Sequence, residues 1–203
     1  PFTPPPPPFR RLRGYAIDPS LSTQLETKPI SQVVFRVPWE KLDSGPCGEY
    51  LEVIDADPGS GCYYEPVNLS DAALLAQDGL PPSEGSPQFH QQMVYAVASL
   101  TIRNFEHALG RRTLWRPGPP AKGANTKDDS HFEPRLRIYP HALRERNAFY
   151  TPARIALLFG YFKASAGAPG DHMGGSMVFT CLSHDIIAHE TTHALLDGMN
   201  RGF

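Results

Sequence analysis

Ser183-His184-Asp185-Ile186-Ile187-Ala188-His189-Glu190-Thr191-Thr192-His193-Ala194-Leu195-Leu196-Asp197-Gly198 is the stretch that decides the reading of this chain. His189 and His193 are four apart, which on a helix stacks both imidazoles on one face with Cβ atoms about 5–6 Å apart. That spacing suits two ligands of one tetrahedral zinc, with each nitrogen at roughly 2.0–2.1 Å. Glu190 sits about 100° further round the helix, where its carboxylate reaches a water on the metal without ligating the metal itself. The pattern is HExxH, the zinc-peptidase motif. Ser183 is placed to cap the helix and Gly198 to end it. Ile187, Leu195 and Met199 give it an apolar side, and Ile186 and Leu196 flank the histidine face.

Upstream, Leu136 to Tyr139, Arg154 to Phe162 and Met177 to Cys181 read as strands bounded by turn signals. Between the last two, Ser165 to Gly175 is glycine-rich and reads as a hairpin tip, with Asp171 and His172 as its polar turn residues. Ser86-Pro87 opens a long helix that Gly110 closes, with Ser as N-cap and Pro at the first helical position. Its apolar residues form two stripes, Phe89, Met93, Val97 and Leu100 on one side and Val94, Ala98, Ile102, Phe105 and Leu109 on the other. A helix apolar over that much of its circumference is buried among other elements. His90 and His107 have no partner at ligand spacing on it and are expected to be surface or hydrogen-bonded histidines. Arg111 to Pro134 reads as a long Gly, Pro, Lys and Asp loop.

Nearer the start, Val33 to Val37 and Tyr50 to Ile54 are strand-like around the turn-rich Asp43–Gly48. Asp55, Asp57, Gly59 and Gly61 resemble the start of a calcium loop, but its twelfth position is Pro66 rather than a bidentate Glu, so an Asp-Pro-Gly turn is expected. Proline supplies six of the first nine residues, a polyproline II arm in which Arg10, Arg11 and Arg13 read as solvated charges. The organisation expected is a proline-rich arm over 1–29, a β-rich lobe over 30–86 and a third unit over 87–203.

With 19 Lys+Arg against 21 Asp+Glu, net −2, the chain has no global field to attract nucleic acid or an anionic bilayer. Its longest nearly uncharged apolar run, Ile155 to Phe162, falls well short of the about 20 residues of a membrane helix, so no membrane span is expected. Cys47, Cys62 and Cys181 are an odd set without CxxC spacing, which argues against both a disulfide framework and a cysteine zinc site.

The run Asp185-Ile-Ile-Ala-His-Glu-Thr-Thr-His-Ala194 resembles the active-site helix of the thermolysin-like gluzincin metallopeptidases. Asn147-Ala148-Phe149-Tyr150 is similar to that family's Asn-Ala-aromatic edge segment, and the helix from Pro87 and the strand from Ile155 follow in the family's order. The resemblance covers about Pro87 to Phe203. It implies an α+β fold: a thermolysin-like N-terminal subdomain, with a mixed sheet packed on a long buried helix and the HExxH helix, behind a β-containing N-terminal extension. It further implies a zinc-dependent endopeptidase acting on a peptide or protein. His189 and His193 then ligate Zn2+, Glu190 is the general base, and Asn147 and Ala148 orient the substrate backbone. Asp185 matches a calcium ligand of some relatives, which makes Ca2+ a second candidate cofactor.

A catalytic zinc normally has three protein ligands. In the family the third is a Glu on a following helix, and the Tyr and His that stabilise the tetrahedral intermediate also follow. The chain ends ten residues past His193, so the expectation is the N-terminal half of a larger enzyme, inactive in isolation, with the missing half supplying the third ligand. His184, five residues before His189, would point some 140° away from it and is discounted as that ligand. The alternative is a catalytically inactive module that binds other proteins through its proline arm and long loop.

Overall fold

The computed structural model describes residues 5–19, 31–117, 133–165 and 175–200. In chain order these carry β1 (Phe9–Tyr15), β2 (Gln32–Pro38), β3 (Leu51–Val53), β4 (Ala56–Asp57), β5 (Cys62–Tyr63), the short α1 (Ala72–Ala76), α2 (Pro87–Leu109), β6 (Leu136–Leu143), β7 (Ala148–Thr151), β8 (Ala156–Lys163), β9 (Met177–Phe179), a 3-10 turn (Thr180–Leu182) and α3 (His184–Met199). The class is α+β. Asp171, His172, the first four residues of the proline arm and residues 118–132 of the long loop lie outside the described residues.

Helix α2 forms where the sequence places it. Ser86 Oγ accepts from the Phe89 N–H, Pro87 takes the first turn, and Gly110 at φ 65° closes it in the left-handed conformation that glycine adopts without a Cβ penalty. Its first half is buried all round, so its polar residues need partners. Gln92 donates to the carbonyls of Arg13 and Leu80, and Gln91 to the carboxylate of Asp55. The main sheet runs β3-β6-β8-β7. β3, β6 and β8 are parallel, and β7 and β9 pair antiparallel with β8. Both α2 and α3 pack against this sheet and against each other.

The N-terminal segment differs from the expected arm. β1 pairs antiparallel with β2 across the position 29/30 boundary, in the register Arg10↔Val37 and Leu12↔Phe35. Strand alternation then turns Arg10 and Leu12 to the buried face. Arg10 is therefore not a solvated charge: its guanidinium donates to the carbonyls of Leu69 and Glu40 and lies 4.4 Å over the Trp39 ring. Arg13 donates to the Gly79 carbonyl, while Arg11 stays exposed beside Asp78. Three arginines close together in the strand concealed the alternation in the sequence.

Helix α3 departs from its expected ends. Ser183 occupies the N-cap position but its side chain makes no capping bond, and the helix runs through Gly198 to Met199 with Asn200 as C-cap. Gly198 is a packing position rather than a terminator, because a Cβ there would fall on the Leu114 carbonyl. The Asp57 to Gly61 segment is the expected turn: Asp57 Oδ1 accepts from the Ser60 N–H between β4 and β5.

Candidate functional site

On α3 the Nε2 atoms of His189 and His193 lie 3.0 Å apart, with the rings nearly perpendicular at 84° and both side chains exposed. Two nitrogens on one tetrahedral zinc at about 2.0–2.1 Å sit about 3.3 Å from each other, so the pair is within a few tenths of an ångström of ligand geometry. Thr191 and Thr192 satisfy their hydroxyls within the helix, on the carbonyls of Ile187 and Ala188.

Glu190, next to His189 in the helix, is buried, its Oε2 accepting the backbone N–H of Tyr150 at 2.9 Å. Seven residues on, and so nearly on the same helical face, the buried Asp197 accepts the Tyr150 hydroxyl at 2.9 Å on Oδ2 and faces Arg116 at 3.3 Å on Oδ1. Burial, reinforced by the Asp197 carboxylate, pushes the Tyr150 phenol up. Two carboxylates of one helix thus hold a single residue of β7, by its main chain and by its side chain. Asp197, Arg116 and the hydroxyl of Tyr150 are not singled out by the sequence, where the i, i+7 pair of acids is the signal available.

β7 is the last strand of its sheet. The Asn147 carbonyl accepts the Gly160 N–H of β8. Alternation therefore turns the main-chain groups of Ala148 and Tyr150 away from β8, to the side where Glu190 meets Tyr150. Asn147 is exposed, and its Oδ1 accepts the Ala148 N–H at 3.0 Å. The structure brings His189, Glu190 and His193 onto the helix that packs against the strand of Ala148 and Tyr150. Asp185 is not among them: its side chain is 99% exposed, with His184 Nδ1 at 3.6 Å.

A second cluster was not foreseen. His90 of α2, His141 of β6 and Cys181 of the 3-10 turn, all buried, place their ligating atoms within 4.8 Å of one another. His90 Nδ1 is 2.8 Å from His141 Nε2. The outer nitrogens are occupied: His90 Nε2 lies 3.0 Å from the Glu84 carbonyl and His141 Nδ1 lies 2.6 Å from Asp55 Oδ1. Burial, then the neighbouring His141, pushes His90 down to about 3. Burial also raises the Cys181 thiol well above its ordinary range, with Asp55 adding to it. Sequence separations of 51 and 86 for the His90–His141 and His141–Asp55 contacts put this cluster beyond any local motif. A buried His-His-Cys group of this kind is able to hold a metal ion.

No family model, curated protein or solved structure matches the chain. The chemistry therefore rests on the side chains themselves. On α3 these are an exposed imidazole pair and, one residue from His189, a buried carboxylate. No helix among the described residues is long and apolar enough to cross a membrane.

Proposed function

We propose that this chain carries the zinc-binding histidines, the general base and the substrate-binding edge strand of a thermolysin-like metalloendopeptidase. The observation that carries the reading is the 3.0 Å convergence of His189 and His193 beside a Glu190 held on the backbone of β7. His189 and His193 would hold the zinc, and the family resemblance supplies the third ligand as a Glu on a helix following α3. Bound zinc polarises a scissile carbonyl and makes water a competent nucleophile near neutral pH.

Further roles belong to residues of this chain. The Tyr150 N–H fixes Glu190 Oε2 and so orients Oε1, the oxygen that takes the proton from the attacking water and passes it to the leaving amine. Asp197 fixes the Tyr150 ring, which keeps β7 in register with α3. The Ala148 N–H is held by Asn147 Oδ1, which leaves the outward Ala148 carbonyl to accept a main-chain N–H of an extended peptide lying along β7, a contact that gives affinity independent of sequence.

The test has two parts. In the protein carrying the third ligand, Glu190→Gln should abolish peptide cleavage while zinc content stays unchanged; near-normal cleavage would overturn the reading. In this chain alone, zinc binding at the α3 pair should be weak and should fall further in His189→Ala and His193→Ala.

A further inference from the structure

We propose that His90, His141 and Cys181 form a buried zinc-binding site with three protein ligands, separate from the pair on α3. The placement of protons leads to it. The Glu84 carbonyl only accepts, so His90 Nε2 carries its hydrogen. Asp55 Oδ1 faces His141 Nδ1, and Asp55 Oδ2 accepts from Gln91, so a carboxylate at 55 leaves the hydrogen of His141 on Nδ1. Each neutral ring has then directed its one N–H outward. What remains, His90 Nδ1 and His141 Nε2, is two lone pairs facing each other at 2.8 Å. Two acceptors do not bond, so a cation belongs between them.

Three features favour a metal over a proton. The buried Cys181 sulfur stands within 4.8 Å of the ring nitrogens, a soft third donor for which a shared proton has no use. The outer bonds are those that orient metal-ligating histidines, one ring donating to a carboxylate and the other to a main-chain carbonyl. Charge balances as well. A divalent ion with one thiolate and the Asp55 carboxylate behind His141 sums to zero, which limits the cost of burying these charges. A monovalent ion would leave it negative. A donor set of two imidazole nitrogens and one thiolate sulfur is suited to zinc, and binding replaces the Cys181 thiol proton, which goes to solvent. The rings would separate by about 0.5 Å to reach tetrahedral spacing. Such an ion ties α2 to β6 and to the turn that leads into α3, and Phe179 packs over both rings at 4.6 and 5.6 Å.

The decisive experiment uses the whole chain carrying His189→Ala and His193→Ala, both exposed positions, stripped of metal and titrated with cobalt(II) in place of zinc. We expect a single ion bound, with a thiolate-to-cobalt charge-transfer band in the near ultraviolet that zinc bleaches. Cys181→Ser should remove the band, and Asp55→Asn should weaken affinity about 10–100-fold. The proposal is overturned if this chain binds no cobalt or binds it without the thiolate band. It is equally overturned if nitrogen NMR finds a proton shared between His90 and His141 when zinc is present in excess. Metal taken up by the unaltered chain but not by the double variant would sink this site and leave the α3 reading standing. Equal uptake by the unaltered chain and the double variant, lost on Cys181→Ser, would support this site and show no uptake at the α3 pair.

Discussion

The two histidine pairs bring their ring nitrogens almost equally close, 3.0 Å for His189 with His193 and 2.8 Å for His90 with His141, by opposite means. The first pair needs only a helix: four residues of spacing align the rings, and both face solvent. The second needs the whole fold, because α2 and β6 must pack before the rings meet, and each is then fixed by a bond on its far side. A pair that exchanges ligands has to keep an open side, and the helix surface provides one. A pair that holds something permanently belongs in the core, where any unbalanced polar group is costly.

The α3 pair owes its proposed chemistry to Glu190 rather than to the histidines alone. Glu190→Gln retains an oxygen for the Tyr150 N–H, so β7 should stay in place while the base is lost. The rate of peptide cleavage in the zinc-loaded, fully liganded protein should fall by about 10²–10⁴, with metal content measured alongside. A fall in both together would make Glu190 a support for the metal site, and the division of labour on α3 would be lost.

Stability separates the two pairs more directly. In metal-free chain, His141→Ala takes from the buried Asp55 carboxylate its His141 donor and leaves it with Gln91, which should cost about 1–3 kcal/mol by urea denaturation. His193→Ala removes an exposed ring and should cost within about 0.5 kcal/mol. Equal losses would break the contrast between a core pair and a surface pair.

Tyr150→Phe addresses the link between α3 and β7. It removes the hydroxyl from Asp197, a buried carboxylate then left with Arg116 at 3.3 Å. A loss of about 1–3 kcal/mol is expected, again by denaturant midpoint. The main-chain bond to Glu190 persists, so cleavage should fall far less than in Glu190→Gln. A comparable fall would mean that the phenol positions the base as strongly as the backbone does.

Legibility in the sequence followed the range of the interactions. Ser86, Pro87 and Gly110 mark α2 to the residue because capping is a local matter of φ and missing N–H groups. The His189–Glu190–His193 pattern is visible for the same reason, since a helix converts spacing into direction. Gly198 misled, because local rules make it a terminator whereas its lack of a Cβ serves the close approach of Leu114. Arg10 misled in the same way: charge suggests solvent, yet strand alternation and two carbonyls bury it. His90, His141 and Cys181 had no local signature at all, being joined only when three distant segments pack.

Asp185 carries the smallest and most discriminating prediction. It stands in the first turn of α3 with its side chain 99% exposed. There an acid stabilises the helix N-terminus by about 0.3–1 kcal/mol, and salt screens the effect. Asp185→Asn should therefore lower the Tm slightly at low ionic strength and less at high. If calcium raises the Tm of the unaltered chain and not that of Asp185→Asn, Asp185 is a ligand and α3 carries a second ion at its start. If calcium acts on both alike, its charge serves the helix dipole, and the exposed face of α3 is devoted to His189 and His193.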